Sequence, residues 1–503
     1  MSVLSTDKSI SESEKRTLAP KPVMSQLFSD FEGYRNSVED YWGDHIGLRE
    51  LLITGYSAIK VLVFNISPND WALLGKDKWI FYWGAGSNNY TADRDFSGRH
   101  MISRTRLDRW YINHMATLEH MRTKGAEYAM FIAPNKQSIH PEFLPYKIRQ
   151  KSGKTILDQF AEYLEGKNTE GFYDLRADLL ALKQSGPVYM RTDTHWNHEG
   201  YVLAYRKIIE WARQHADGIP VSRSDQEFEL EHIPAMTGDL GGMVGFASYF
   251  AETSALATLK APCAVQVENI SLQKYGAQPQ KQATRYRCKT ATKKLLFIHD
   301  SFGRWIAPLL AEHFKETITS NFGSPIVLEE LIEEFQPDIV INLRVERQLL
   351  SLFPDYPGVT DDFIKSKFEQ GNQKVQKIQL LPEIVKCVNC DLRQYEDGLE
   401  IYSHNEDPFL EFDAQLLNNA GTEATVKVSL ISEQPDELKL YFATEGSPVF
   451  SEDNAVSSPI QKEVNTIYLR IAAETPFKSL RLDPGMNKGL YYLSYLGVQY
   501  ETN

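Results

Sequence analysis

The chain has 503 residues, 42% of them apolar and 24% charged, which is ordinary globular composition, with length for roughly two to four domains. A formal net charge of −13 argues against nucleic acid as a partner, because binding to a phosphate backbone rests on clustered Lys and Arg. A neutral or locally bound sugar is not excluded. No run of about 18 apolar residues occurs, so no membrane span is expected in this chain.

Residues 1–29, opening "MSVLSTDKSISESEKRTLAPKP", read as a disordered N-terminal segment. They hold no apolar signal core, so no signal peptide or anchor is visible. Either the protein is cytoplasmic or a leader or anchor has been removed. From Asp30 to Phe64 apolar residues recur at helical spacing. "GKDKWIFYWG" (Gly75–Gly84) reads as a turn and a short aromatic strand. "RLDRWYINHMATLEHMRTKG" predicts a helix stopped by Gly125, and "AEYAMFIAP" (Ala126–Pro134) a buried strand. "GPVYMRTDTH" predicts a strand, and "EGYVLAYRKIIEWARQHADG" a helix with Gly218 after it. "KKLLFIHD" (Lys293–Asp300) is again strand-like, followed by a helix over "FGRWIAPLLAEHF". There Trp305, Leu309 and His313, and likewise Ile306, Leu310 and Phe314, lie four apart on an expected buried face. "LEELIEEFQPDIVINLRVE" supplies one more helix and strand. This alternation predicts an α/β domain with a mainly parallel sheet over residues 30–378.

Past "VKCVNCD" the character changes. "ATVKVSLIS", "ELKLYFATE", "NTIYLRIA" and "YYLSYLGVQYE" alternate apolar and polar residues between turn residues. Residues 379–503 therefore read as an all-β sandwich, jelly-roll-like, which serves either as a stabilising lobe or as a carbohydrate-binding module. Among the four cysteines, Cys263 and Cys288 lie in one strand–loop–strand segment, where a disulfide fits. Cys387 and Cys390 form a CxxC without the second pair or histidines that a zinc site wants. Two bridges would place the protein in an oxidising compartment.

Two stretches carry chemistry. In "FIHDSFGRW" a buried strand ends at Asp300 and a helix begins near Phe302. Ser301 thus sits at the carboxyl end of a strand and the amino end of a helix, where ligands bind in open α/β sheets and free N–H groups can hold an oxyanion. It is a nucleophile or simply the helix cap; the G-x-S-x-G pattern of α/β-hydrolases is absent. In "DTHWNHEG" (Asp193–Gly200) an acid stands two residues before a histidine. In an extended segment Asp193 and His195 point to one side, as a base and its orienting acid would. The same eight residues also offer His195, His198 and Glu199 as metal ligands, although they match neither H-E-x-x-H nor H-x-x-E-H. A third reading makes Asn197 or Thr194 a helix cap.

"TDTHW" before a helix, then "DSF" after a strand, resembles the alginate O-acetyltransferase family of AlgJ and AlgX, with its SGNH hydrolase-like domain. "YWGDHIGLRELLI" (Tyr41–Ile53), "LLGKDKWIFY" with Lys78 where the family has Gly, "APNKQSIHPEFLP", "GDLGGMVG" (Gly238–Gly245) and "PDIVINLRVERQL" are similar to further family blocks, in the same order. The resemblance spans about Asp30–Leu350. It implies a Ser-His-Asp site with Ser301 as nucleophile, His195 as base and Asp193 as orienting acid. Asn135, Lys136 and Arg347, at strand ends, are expected to face the same cleft as substrate or oxyanion groups. The resemblance further implies O-acetylation of a bacterial cell-envelope or extracellular polysaccharide through an acyl-serine, in the periplasm, with no metal and no diffusible cofactor. The acetyl group would come from a membrane-bound O-acyltransferase. An acetyl esterase with the same triad, or an inert glycan-binding protein, are the alternatives.

Overall fold

The computed structural model describes residues 10–11, 16–45, 49–84, 90–167, 169–278, 280–321, 325–351, 358–371, 375–404, 407–413 and 421–501. Of the segment 1–29 expected to be disordered, the described part holds a short pairing of Ile10–Ser11 with Arg16–Thr17 and a helical turn Gln26–Ser29. The helical spacing of residues 30–64 resolves into helices Phe31–His45 and Arg49–Phe64. Among the described residues no helix is long and apolar enough to cross a membrane.

Seven strands form the central sheet, in the order Phe172–Asp174, Glu127–Ala133, Ile339–Val345, Lys294–His299, Glu316–Ser320, Gln282–Arg287, Val265–Ser271. The first five run parallel, Gln282–Arg287 runs against them, and Val265–Ser271 pairs antiparallel to Gln282–Arg287, so the sheet is mixed. Alternate side chains of one strand enter different cores. Leu295 and Phe297 pack with helix His198–His215 on one face, and Leu296 and Ile298 with helices Arg104–Thr123 and Pro325–Phe335 on the other. That is the period-two consequence of covering both faces, and it is why these strands read as unbroken apolar runs.

Two expected elements differ. "GPVYMRTDTH" is not a strand: its only pairing is an isolated bridge between Tyr189 and Trp196. Pro187 lacks a donor, and the chain folds back on itself, Met190 N–H reaching His195 O at 3.2 Å and Asn197 N–H reaching Val188 O at 3.1 Å. The helix expected over "FGRWIAPLLAEHF" is a short 3-10 turn, Ser301–Gly303, followed by an α-helix limited to Ile306–Ala311. Pro308 is tolerated there because it stands in the first turn, where its missing N–H has no intrahelical partner to lose.

The C-terminal region is strand-rich and antiparallel. One sheet runs Cys390–Tyr395, Gly398–Ser403, Gly489–Tyr500, Glu423–Ser432, Glu463–Ala472, with Gln376–Lys377 pairing on Gly489–Tyr500. The other runs Lys386–Val388, Phe409–Phe412, Phe477–Asp483, Asp436–Thr444, Ala455–Ile460. The two enclose one apolar core. Cys387 and Cys390, on consecutive strands that belong to different sheets, are bridged to each other, and Cys263 is bridged to Cys288. The sandwich docks on helix Arg104–Thr123 through Arg470, whose guanidinium binds Asp108 at 2.9 Å and Glu423 at 2.6 Å.

Candidate active site

Strand Lys294–His299 delivers Ser301 to the carboxyl edge of the sheet. Asp300, not Ser301, caps the turn that follows: one carboxylate oxygen accepts Phe302 N–H at 2.8 Å and the other accepts Val345 N–H at 2.7 Å. With that cap filled, the exposed Ser301 hydroxyl is left for another partner. His195 Nε2 stands 2.7 Å from its Oγ.

The imidazole is held from behind. His195 Nδ1 lies 2.6 Å from Asp193 Oδ1, which also accepts His195 backbone N–H at 3.0 Å. The acid and base therefore share a side because of a tight turn, rather than through strand alternation. Asp193 Oδ2 accepts Asp239 N–H at 3.0 Å. Burial by itself raises the Asp193 carboxyl, but the hydrogen bond and charge of His195 and the N–H groups aimed at it prevail, holding it well below the usual carboxylate range. This arrangement keeps the proton on Nδ1 and leaves Nε2 as acceptor toward Ser301. The ring packs 4.8 Å from that of Phe302 and edge-on to Trp305 at 5.4 Å.

Asn197 is the cap of helix His198–His215, accepting Gly200 N–H at 3.1 Å. Thr194 is not a cap; its N–H and hydroxyl both bind Asp239, each at 2.7 Å. The ligand set His195, His198 and Glu199 is not assembled among the described residues: His198 and Glu199 pair at 3.3 Å, but both ring nitrogens of His195 point elsewhere, to Asp193 and Ser301. The carboxylates gathered with His195 are Asp193 and Asp239, with ligating atoms within 4.8 Å of one another.

The three strand-end residues part ways. Asn135 is buried and donates from Nδ2 to Tyr90 Oη at 3.2 Å, while its backbone N–H binds Glu346 at 2.7 Å. Lys136 is 3% exposed and cannot meet a substrate. Its ammonium donates to the carbonyls of Met190 and Arg191, both at 3.1 Å, and Asp193 at 2.6 Å. Burial lowers its pKa to about 7, against the pull of Asp193, Asp239 and Glu252. Arg347 is different. Half-buried, its guanidinium lies 5.2 Å from the Tyr82 ring and 5.5 Å from the Phe302 ring, with no hydrogen-bond partner among the described residues.

Backbone donors beside the serine are mostly engaged. Phe302 N–H goes to Asp300, Gly303 N–H to Asp300 O at 3.1 Å and Arg304 N–H to Ser301 O at 3.4 Å. Ser301's own N–H has no partner among the described residues. Next to the dyad, under the hairpin Phe228–Met236 and Glu252–Leu259, opens a cleft of about 240 Å³, its walls including Tyr201, Met236, Leu256, Arg304 and Trp305.

Three residues escape sequence reasoning. Asp239 and Glu252 bind the loop that carries the dyad. The buried Trp196 donates from Nε1 to Phe302 O at 3.2 Å, tying the histidine loop to the serine turn. Asp239 lies inside the "GDLGGMVG" block, where only the glycines stood out; Glu252 had no signal at all.

Residues 72–304 match the family model described as "SGNH hydrolase-like domain, acetyltransferase AlgX". That span includes Asp193, His195 and Ser301, and leaves out Arg347 and the sandwich. A probable alginate O-acetylase AlgJ of Pseudomonas syringae pv. tomato is 23% identical over 206 residues, which is 40% of this chain and 47% of the relative. The chain spans about half the length of the curated relatives it matches. Among solved structures, the O-acetyltransferase domain of Pseudomonas putida AlgJ has 18% identity and a TM-score of 0.37, covering 58% of this chain and 99% of its own. Pseudomonas aeruginosa AlgX has 13% identity and a TM-score of 0.36, covering 86% of this chain and 95% of its own. Through residues 72–304, a little under half of its length, the chain is similar to AlgJ/AlgX-like proteins that carry an SGNH hydrolase-like acetyltransferase domain.

Proposed function

We propose that the protein transfers acetyl groups to hydroxyls of a bacterial polysaccharide through an acetyl-Ser301 intermediate. The observation that carries this reading is the unbroken line from Asp193 through His195 to the Ser301 hydroxyl, 2.6 and 2.7 Å long. In the first step Ser301 Oγ attacks the acetyl carbonyl carbon of the donor while its proton passes to His195 Nε2. The intermediate collapses, the donor's leaving group takes that proton, and the acetyl group stays on Oγ. A sugar hydroxyl then gives its proton to Nε2 and attacks the same carbon, and Ser301 leaves with its proton restored. Asp193 stabilises the imidazolium formed in both steps. Ser301 N–H and the Arg347 guanidinium, neither with a hydrogen-bond partner among the described residues, stabilise the oxyanion. The cleft beside Trp305 takes the acceptor sugar, with an aromatic ring for the sugar's C–H face and polar groups for its hydroxyls.

The sandwich is assigned to glycan binding. Strand register puts Tyr395, Tyr402 and Tyr492 on one outer face of its larger sheet, Tyr395 being 47% exposed and Tyr402 38%. The two disulfides fit an oxidising compartment such as the periplasm, where a membrane-bound O-acyltransferase would supply the acetyl donor. The test is incubation with an activated acetyl ester and candidate glycans, with mass spectrometry of both protein and glycan. The expected result is an acetyl adduct on Ser301 that chases into the glycan, and no adduct on Ser301→Ala. Release of the adduct to water alone, unchanged by any glycan, would make the protein an esterase.

A further inference from the structure

The loop that carries Asp193 and His195 is not part of any sheet, yet its backbone polar groups have partners. Buried backbone N–H and C=O groups demand such partners, and here side chains from distant elements supply them. Glu252, on the hairpin above, accepts Arg191 N–H at 3.0 Å, Thr192 N–H at 2.7 Å and the Thr192 hydroxyl at 2.6 Å. Asp239 takes Thr194 from the side. Of the carbonyls, that of Thr192 accepts Gly241 N–H at 2.9 Å. The carbonyls of Met190, Arg191 and Asp193 converge on one atom, Lys136 Nζ.

A lysine ammonium has three N–H bonds, and three carbonyls meet it. The fit is one-sided: Nζ is closed off below by the rings of Trp79 and Phe81, at 5.6 and 5.4 Å. The charges facing it are those of Asp193, Asp239 and Glu252. Asp193 is on the loop itself, while Asp239 begins helix Asp239–Met243 and Glu252 begins strand Glu252–Leu259, so three carboxylates from separate elements meet at this loop. A buried cation is costly to keep unless it has such work and such partners.

We infer that Lys136 from below and Glu252 from above are positioning residues that clamp the loop 190–195, so that the Asp193–His195 pair meets the Ser301 hydroxyl. The inference rests on the proposed acyl-serine chemistry. It assigns both residues control of where the imidazole stands; Lys136 is closed off from substrate, whereas Glu252 also lines the cleft, which is why the test uses a reagent that needs no sugar. A displacement of about 1 Å of a catalytic group can slow a reaction roughly 10²-fold; besides these two side chains, the loop is held by the backbone N–H of Ile80 on the Arg191 carbonyl, at 2.9 Å, and by that of Gly241 on the Thr192 carbonyl.

The test uses the full chain and phenylmethanesulfonyl fluoride, which labels an activated serine without needing a glycan. Intact-protein mass spectrometry gives two quantities, the fraction labelled at completion and the rate constant of labelling. Wild type should take one adduct, on Ser301. Lys136→Met should reach the same final fraction with a rate constant lowered on the order of 10²-fold, and Glu252→Gln on the order of 10-fold because one acceptor oxygen survives. A merely structural role would do the reverse, with a smaller labelled fraction and a lower melting midpoint, and a reactive fraction that labels at the wild-type rate. That result overturns the inference. If Lys136→Met does not fold, Glu252→Gln decides alone, and a wild-type rate constant there is likewise fatal. Failure of the acyl-serine reading looks different: wild type would carry no adduct on Ser301, or Ser301→Ala would label equally well.

Discussion

Asp193→Asn separates geometry from charge at the candidate site. Three donors converge on the wild-type carboxylate: His195 Nδ1–H and backbone N–H on one oxygen, and Asp239 N–H on the other. An amide has one acceptor oxygen and one NH₂, so one side must clash. With the oxygen toward His195, the NH₂ opposes Asp239 N–H, which leaves buried donors unpaired at about 1–3 kcal/mol. Turned over, the NH₂ faces Nδ1 and drives the proton to Nε2, so the ring can no longer accept from Ser301. Either way the imidazolium formed in the reaction loses its counter-charge. The same substitution in a serine protease triad lowers turnover about 10⁴-fold. A fall of about 10³–10⁴ in kcat is expected here, or about 4–5.5 kcal/mol of barrier at 1.36 kcal/mol per tenfold. Hydrolysis of a small acetyl ester measures it, and Ser301→Ala should lose more. The variant should also alter acid stability. Because the folded Asp193 pKa is depressed, its contribution is present above the unfolded value of about 3.9 and is lost as pH falls toward the folded one. Asp193→Asn should flatten that part of the stability–pH curve. A variant within about tenfold of wild-type kcat would refute the orienting role of Asp193.

Arg470→Met removes a buried cation from Asp108 and Glu423 at the sandwich contact, and a loss of about 3–5 kcal/mol is expected in urea unfolding; a change under about 1 kcal/mol would show that the docking does not depend on it. His198→Ala with or without a chelator should leave ester hydrolysis within about twofold, since His198 faces Glu199 rather than the dyad. Inactivation by the chelator, reversed by added metal, would instead favour a metal held by Asp193, His195 and Asp239. The double variant Tyr395→Ser/Tyr492→Ser should weaken glycan binding in a pull-down while sparing ester hydrolysis; equal binding would remove those rings from the glycan surface.

Much of the fold is legible in the sequence because burial on both faces writes long apolar strands. "MFIAP" and "KKLLFIHD" lie where that pattern puts them, and the strand-rich end is marked by its alternation. The order of strands and the antiparallel edge depend on pairings between distant segments, which no local pattern carries. "GPVYMRTDTH" misleads for a related reason. Its apolar residues Val188 and Tyr189 are buried as a strand's would be, but the partners of its backbone include the side chains of Lys136, Glu252 and Asp239 and the N–H groups of Ile80 and Gly241, all on distant parts of the chain and invisible to periodicity. Lys78 is a sharper case. It holds a left-handed backbone with φ +63, the conformation for which a glycine is the usual choice. Its ammonium donates to Tyr249 O at 3.0 Å and lies 4.1 Å from the Tyr249 ring, contacts a glycine would lack.

The eight residues "DTHWNHEG" invite three exclusive readings, and the geometry makes two of them interdependent. Asn197 caps the helix, which fixes where the loop ends. Trp196, between cap and histidine, is fully buried and donates to Phe302 O at 3.2 Å. Phe302 is the residue after the serine, and Asp300, the residue before it, pins the turn to the neighbouring strand through Val345 N–H. The serine and the imidazole are thus each one residue from a buried contact that joins their two segments. Packing and the cap thus support their spacing alongside the hydrogen bond between them. That fits the proposed acyl-serine cycle, whose two proton transfers need the imidazole held within reach of the serine. It is also why a short polar turn, poor in apolar residues of its own, can hold so definite a shape.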